Sequence, residues 1–223
     1  YQYDGVGNRT SMSELDGSRV TYLYDDAYQL TGEHRTGTNA YRNTYTYDNR
    51  GNRTLKNLSG ARTTATYDDA NQLSWTQDAG GRTTYLYDAD GNQEVVLIPA
   101  GQRTTNIWDD ENRLIGVLHP SGTRETMAYD PDGKRIAHQT AAETVKHVWD
   151  GPSYLLDLDA SGITVATYTN EPTKFGSLVS QHKTGETHYY LFDALGSTRL
   201  LTNLSEMVAE TLLYDAWGYL IGS

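Results

Sequence analysis

The side chains with the chemical means to act on a substrate are scattered. Six histidines, His34, His119, His138, His147, His182 and His188, show no His-Glu-x-x-His spacing and no grouping with serine and aspartate that suggests a nucleophile, its base and an orienting acid. Asp88-Ala89-Asp90-Gly91 and Asp130-Pro131-Asp132-Gly133 superficially resemble calcium loops. A hard cation needs oxygen ligands at alternate positions and a closing bidentate Glu, and both stretches lack them. No glycine-rich loop follows a strand and opens a helix, so nucleotide binding has no support. Cysteine is absent, which excludes disulfides and thiolate metal sites. The expectation is a chain that is not an enzyme, with no catalytic residue, no metal and no cofactor.

Aromatic rings are the remaining candidates. Tyr and Trp beside Asp, Asn and Arg offer a sugar both a stacking face and hydrogen-bonding edges, and a glycan-binding reading selects Trp75 and Trp217. The blander reading makes the rings the packing seam of a repeated fold, and their spacing favours it. An aromatic-Asp pair recurs at Tyr3-Asp4, Tyr24-Asp25, Tyr47-Asp48, Tyr67-Asp68, Tyr87-Asp88, Trp108-Asp109, Tyr129-Asp130 and Trp149-Asp150, at intervals of 20 to 23 residues. Phe192-Asp193 and Tyr214-Asp215 follow after a longer gap. Arg precedes the aromatic by five residues at Arg19, Arg42, Arg62, Arg82, Arg103 and Arg124, and Thr by three at Thr21, Thr44, Thr64, Thr84, Thr105 and Thr126.

Fixed phase of this kind belongs to strands. Side chains alternate, so the aromatic and the residue two before it share one face, while Arg, Thr and the following Asp share a polar one. Rings in register would form a ladder along the sheet, and Arg and Asp of neighbouring strands would pair opposite them. The Asp opens a turn: Asp48-Asn49-Arg50-Gly51, Asp193-Ala194-Leu195-Gly196 and Asp215-Ala216-Trp217-Gly218 put Asp first and Gly fourth, which is type I turn chemistry closing a hairpin. Asn71 and Asn112 are good left-handed substitutes for that Gly, whereas Tyr28 puts its own turn in doubt. Each repeat therefore reads as one hairpin.

Composition agrees. Eighteen Tyr against two Phe, with 21 Gly, describe strands joined by tight turns, so the predicted fold is all-β, a run of tandem antiparallel hairpins in a curved or spiralling sheet. A formal net charge of -11 argues against a nucleic-acid partner. No apolar stretch is long enough for a membrane span. The regular array is expected over 1–150, followed by 151–223, in which 152–188 reads as irregular in its rhythm, with strands around Leu155 to Asp159 and Ile163 to Tyr168 and then a connection at 171–176.

With these motifs in view the chain resembles the YD (Rhs) repeats of bacterial Rhs proteins, of Tc toxin C subunits and of teneurins. Trp149-Asp150-Gly151, Leu155-Leu156-Asp157-Leu158-Asp159, Tyr189-Tyr190-Leu191-Phe192-Asp193-Ala194-Leu195-Gly196-Ser197 and Tyr214-Asp215-Ala216-Trp217-Gly218 are similar to the opening of the Rhs-associated core. The resemblance implies a β-spiral shell in a secreted or cell-surface bacterial protein, with a toxin or effector domain of the same parent chain as the enclosed partner. It carries over no catalytic residue, because the family's self-cleavage motif and toxin would follow Ser223. About 20 strands spaced ~4.8 Å apart span about 95 Å, short of the ~110 Å girth of a cargo of about 130 residues. Further turns of shell are expected from the parent chain, with edge-to-edge self-association or glycans as other partners.

Overall fold

The computed structural model describes the chain except for residues 15, 173–176, 194 and 223. Among the described residues, twenty-three strands run from Gln2–Tyr3 to Leu220–Gly222, and there is no α-helix, only a 3-10 turn at Pro99–Gly101. The all-β expectation holds, and so does the run of antiparallel hairpins through the first 150 residues. By packing, the chain divides into two compact units, residues 1–103 with 215–217 and residues 104–214 with 218–223.

In the first unit, Arg19–Tyr24 pairs with Leu30–Thr36, and Tyr41–Tyr47, Arg53–Leu58, Ala61–Tyr67, Leu73–Asp78, Gly81–Tyr87 and Gln93–Leu97 follow in succession, each antiparallel to the last. The second unit repeats the pattern from Leu114–Leu118 to Val208–Thr211. The two strands expected near 155–159 and 163–168 form as Ser153–Leu158 and Thr164–Asn170, and Leu178–Lys183 and Glu186–Phe192 follow as further paired strands. Of the expected connection, Glu171 and Pro172 lie between strands, and 173–176 fall outside the described residues.

The turns follow their chemistry closely. Gly51 N–H donates to the Asp48 carbonyl at 3.0 Å, while Asp48 Oδ1 accepts the amides of Arg50 and Asn52 at 2.9 Å each. Asn52 Nδ2 adds a bond to Asp48 Oδ2 at 2.9 Å. Gly51 sits at φ +86°, the left-handed region that the sequence pattern reserves for Gly or Asn. Tyr28 departs from the expectation: it takes φ +62° and its turn closes, with Tyr28 N–H donating to the Asp25 carbonyl at 3.0 Å. Three donors onto Asp25 and the flanking ladders outweigh the cost of a bulky left-handed residue, about 1–2 kcal/mol. Asp150 departs in the other direction. It lies within a strand opposite Ser153, so Gly151 and Pro152 alone form that turn.

The hairpins that follow a motif aromatic also contain an irregularity that the period does not announce. Leu23 faces Gly32 but Tyr24 faces Leu30, which leaves Thr31 as an extra residue on the returning strand. The same one-residue bulge falls at Thr54, Ser74, Glu94, Ile115, Ile136 and Arg199, always opposite the step into the aromatic. Bulges interrupt the ladder and increase local twist.

The aromatic face is the better buried one: Val20, Tyr22 and Tyr45 are 1 %, 5 % and 2 % exposed, and Met12, Val20 and Tyr22 form a core cluster against which Tyr24, Leu30 and Ala216 pack. The opposite face is not uniformly polar. Leu23, Leu86, Ile107, Val148 and Leu191 occupy the position just before the aromatic and lie on that side, with Leu23, Leu86 and Leu191 exposed. The phased Arg19, Arg42, Arg62, Arg82, Arg103 and Arg124 are exposed, and close ion pairs also form at other positions, such as Arg35 to Glu14 at 2.7 Å and Arg113 to Asp109 at 2.8 Å.

Candidate functional site

The repeated Tyr-Asp pair is two devices side by side. The Asp caps its turn, and its donors hold the carboxyl more acidic than usual: the Asn8 side chain at Asp4, the Asn52 side chain at Asp48, the Asn92 side chain at Asp88 and the Arg113 amide at Asp109. The Tyr reaches in the other direction, to the preceding hairpin. Tyr24 O–H donates to the Arg9 carbonyl at 3.0 Å, Tyr47 to Leu30 at 2.7 Å, Tyr67 to Arg53 at 3.3 Å and Tyr87 to Leu73 at 3.0 Å. Tyr129 donates to Leu114 at 2.9 Å, and Trp149 Nε1–H to Arg135 at 3.0 Å. Each accepting residue stands opposite the previous aromatic, beside the bulge, where the ladder is broken and a backbone group needs a partner.

Alongside the strand ladders, these hydroxyls link successive repeats. Burial raises the Tyr24, Tyr47 and Tyr67 hydroxyls above the ordinary phenol range, so they keep their protons and remain donors. The strong excess of Tyr over Phe and the substitution of Trp but rarely Phe in the motif were the available signals, since Tyr and Trp share a donor that Phe lacks. Phe192 cannot make this bond, and its ring stacks on Tyr190 at 6.4 Å instead. Tyr3 is 53 % exposed, Trp108 ends its strand, and Tyr214 lies in a short strand ahead of the buried Asp215.

Two polar clusters involve histidines. Glu125 accepts from both sides, with His119 Nε2 at 2.7 Å and His138 Nε2 at 2.8 Å, and these contacts, His138 first, hold its carboxyl below the usual range. A carboxyl more acidic in the fold than in the open chain adds stability above its ordinary value of 4.5, and that contribution disappears as pH falls through the folded value. Glu125→Gln is therefore expected to flatten the acid limb of stability below about pH 4.5, measured as urea midpoints at stepped pH; an unchanged limb removes Glu125 from it. In the second cluster His147 Nδ1 lies 2.8 Å from Asp157 Oδ1, which also accepts from Tyr154, while Tyr168 O–H donates to Oδ2 at 2.9 Å. Burial, and then the bond to Asp157, push Tyr168 up to about 12 and raise Tyr154 further, so both hydroxyls keep their protons. Among the described residues no three His, Cys, Asp or Glu side chains are grouped to hold a metal ion.

A family model described as Teneurin YD-shell matches residues 1–174. The chain belongs to the teneurin YD-shell family. Among solved structures, this YD-shell chain is similar to TcdB2-TccC3 without its hypervariable C-terminal region, at 12% identity and a TM-score of 0.50, covering 99% of this chain and 18% of that one. A Photorhabdus luminescens Tc holotoxin pore with a TccC3 mutation gives 16% identity, a TM-score of 0.42, and 99% and 15% coverage. At such identities the first likeness speaks to fold alone. The YD-shell chain spans less than a fifth of the length of these proteins. The search of curated proteins gives no match.

In this YD-shell the two rings singled out for sugars already have cationic neighbours. The Arg82 guanidinium lies 4.5 Å from the centre of the half-buried Trp75 ring, and that of Arg53 lies 4.2 Å from Trp217. Trp217 also meets the Tyr45 ring edge-on at 5.6 Å. No helix of the described residues is long and apolar enough to cross a membrane.

Proposed function

We propose that this YD-shell segment is non-catalytic wall that encloses or presents a C-terminal toxin or effector domain of the same parent chain, in a bacterial protein that is secreted or held at the cell surface. The observation that carries the reading is the backward hydroxyl bond that Tyr24, Tyr47, Tyr67, Tyr87 and Tyr129 make to the preceding hairpin. Nearest-neighbour bonding lets an array extend by adding units without a central core, which suits a container more than an active site. The turn carboxylates are committed to backbone amides and the bonded tyrosines to backbone carbonyls, so the repeat spends its reactive groups on structure. Association with toxin complexes in the similar solved structures supports the choice of cargo.

Limited proteolysis of the full parent protein tests it. The segment following the shell is expected to be cut at least tenfold more slowly within the parent than when expressed alone, and to lose that protection when the shell is unfolded with urea. Equal cutting rates in the two settings overturn the reading.

A further inference from the structure

Two residues depart from the repeat, and the fold brings their neighbourhoods together. At the position of Glu33, nine residues after the aromatic, other hairpins carry Lys56, Thr76, Val96, Val117 and His138. At the position of Trp217, three after the aromatic, they carry Arg50, Asp90 and Asp132. Glu33 is 1 % exposed in the strand Leu30–Thr36, opposite Tyr22. Its Oε1 accepts the Tyr41 hydroxyl at 2.8 Å, and its Oε2 accepts the Ala216 amide at 3.0 Å, across 183 residues of sequence. A carboxylate buried this far is costly unless its oxygens are hydrogen-bonded, and one of the two hydrogen bonds described for Glu33 comes from Ala216.

The rest of the segment packs less evenly, with Asp215 buried and Trp217 44 % exposed. Ala216 packs on the Met12, Val20 and Tyr22 cluster. Asp215 is 6 % exposed, and its Oδ1 accepts the Trp217 amide at 2.9 Å, which holds the tripeptide in a tight turn. The Trp217 ring stands at 70° to Tyr45 with Arg53 above it. Residues 215–217 thus pack with the first hairpins as part of the same compact unit.

We propose that Glu33, Tyr45 and Arg53 form a recognition site for an Asp-Ala-Trp turn, filled by residues 215–217 of the same chain as a latch between its late and early repeats. Glu33 reads the backbone amide of the middle residue, and Tyr45 with Arg53 reads the indole. A turn of the ordinary repeat type, Asp-Pro-Asp-Gly as at 130–133, offers neither group. The inference is independent of what the shell encloses.

That comparison supplies the variant. Ala216→Pro with Trp217→Asp gives residues 215–218 the sequence of 130–133, so the turn itself is preserved while the amide and the ring are lost. Fluorescence anisotropy with a labelled peptide of residues 212–220 is expected to show binding to this full-length variant at least tenfold tighter than to the wild-type chain, whose site is filled. Adding Glu33→Ala removes the binding, and adding Glu33→Gln, which keeps an acceptor, retains it. In the otherwise wild-type chain, Glu33→Ala is expected to speed hydrogen exchange of the Ala216 amide at least tenfold while exchange within Gly81–Tyr87 is unchanged. Peptide binding that survives Glu33→Ala overturns the proposal. So does Ala216 exchange that is as slow in Glu33→Ala as in wild type, whatever the peptide does.

Discussion

Replacing Tyr24, Tyr47 and Tyr67 together by Phe is expected to destabilise the first unit by about 3 kcal/mol, close to 1 kcal/mol for each hydroxyl bond lost. The change keeps the rings and their packing and removes one donor per repeat. The acceptors, the carbonyls of Arg9, Leu30 and Arg53, lie on successive hairpins, so the losses are separate events and should nearly add. Urea unfolding followed through hydrogen exchange, which reports local opening in an array, gives the comparison. Tyr28→Phe is the control, since Tyr28 is 60 % exposed, and its change should be within about 0.5 kcal/mol of zero. If the triple variant matches the control, the hydroxyls do not bind one hairpin to the next.

Gly37→Ala should be costlier than its chemistry suggests, by about 2–4 kcal/mol. Gly37 has φ +89°, which any side chain makes unfavourable by about 1–2 kcal/mol. A Cβ there would also lie 2.6 Å from Ser18 Oγ and 2.9 Å from Ser18 Cα. Ser18 has no room to withdraw: it is 1 % exposed, donates to Asp16 Oδ2 at 2.8 Å and accepts the Thr38 amide at 3.1 Å. Forcing a methyl into such a site adds about 1–3 kcal/mol. Gly51→Ala isolates the backbone part, because at φ +86° its new Cβ would meet only the flexible end of Gln29, at 3.1 Å. The urea midpoint of Gly37→Ala should fall well below that of Gly51→Ala, and equal midpoints would remove the Ser18 clash.

The period, the turns and the strand faces were legible because they depend on neighbours in sequence. Asp48 and Gly51 are three residues apart, and Tyr22 and Tyr24 two, so local geometry decides their roles. The bulge at Thr31 was not legible, since a one-residue register shift belongs to the pairing of two strands and leaves each strand's own pattern intact. The hydroxyl bonds were hidden for the same reason, although the near-absence of Phe hinted at them. Asp150 shows the limit of motif matching: Trp149-Asp150-Gly151 looks like its fellows, yet Pro152 allows a shorter turn. Glu33 and Trp217 were visible only as oddities. Their meeting depends on packing over 183 residues, which no spacing rule reaches.

The hydroxyl bonds all run the same way, from a later hairpin to an earlier one, as Tyr24 does to Arg9 and Tyr87 to Leu73. The array consequently has a direction in the sense that a polar filament does, each hairpin presenting a carbonyl to the aromatic of the next. A ribosome delivers hairpins in that order. Each one can be secured to a finished predecessor as it emerges, so the wall can be laid during synthesis, course upon course.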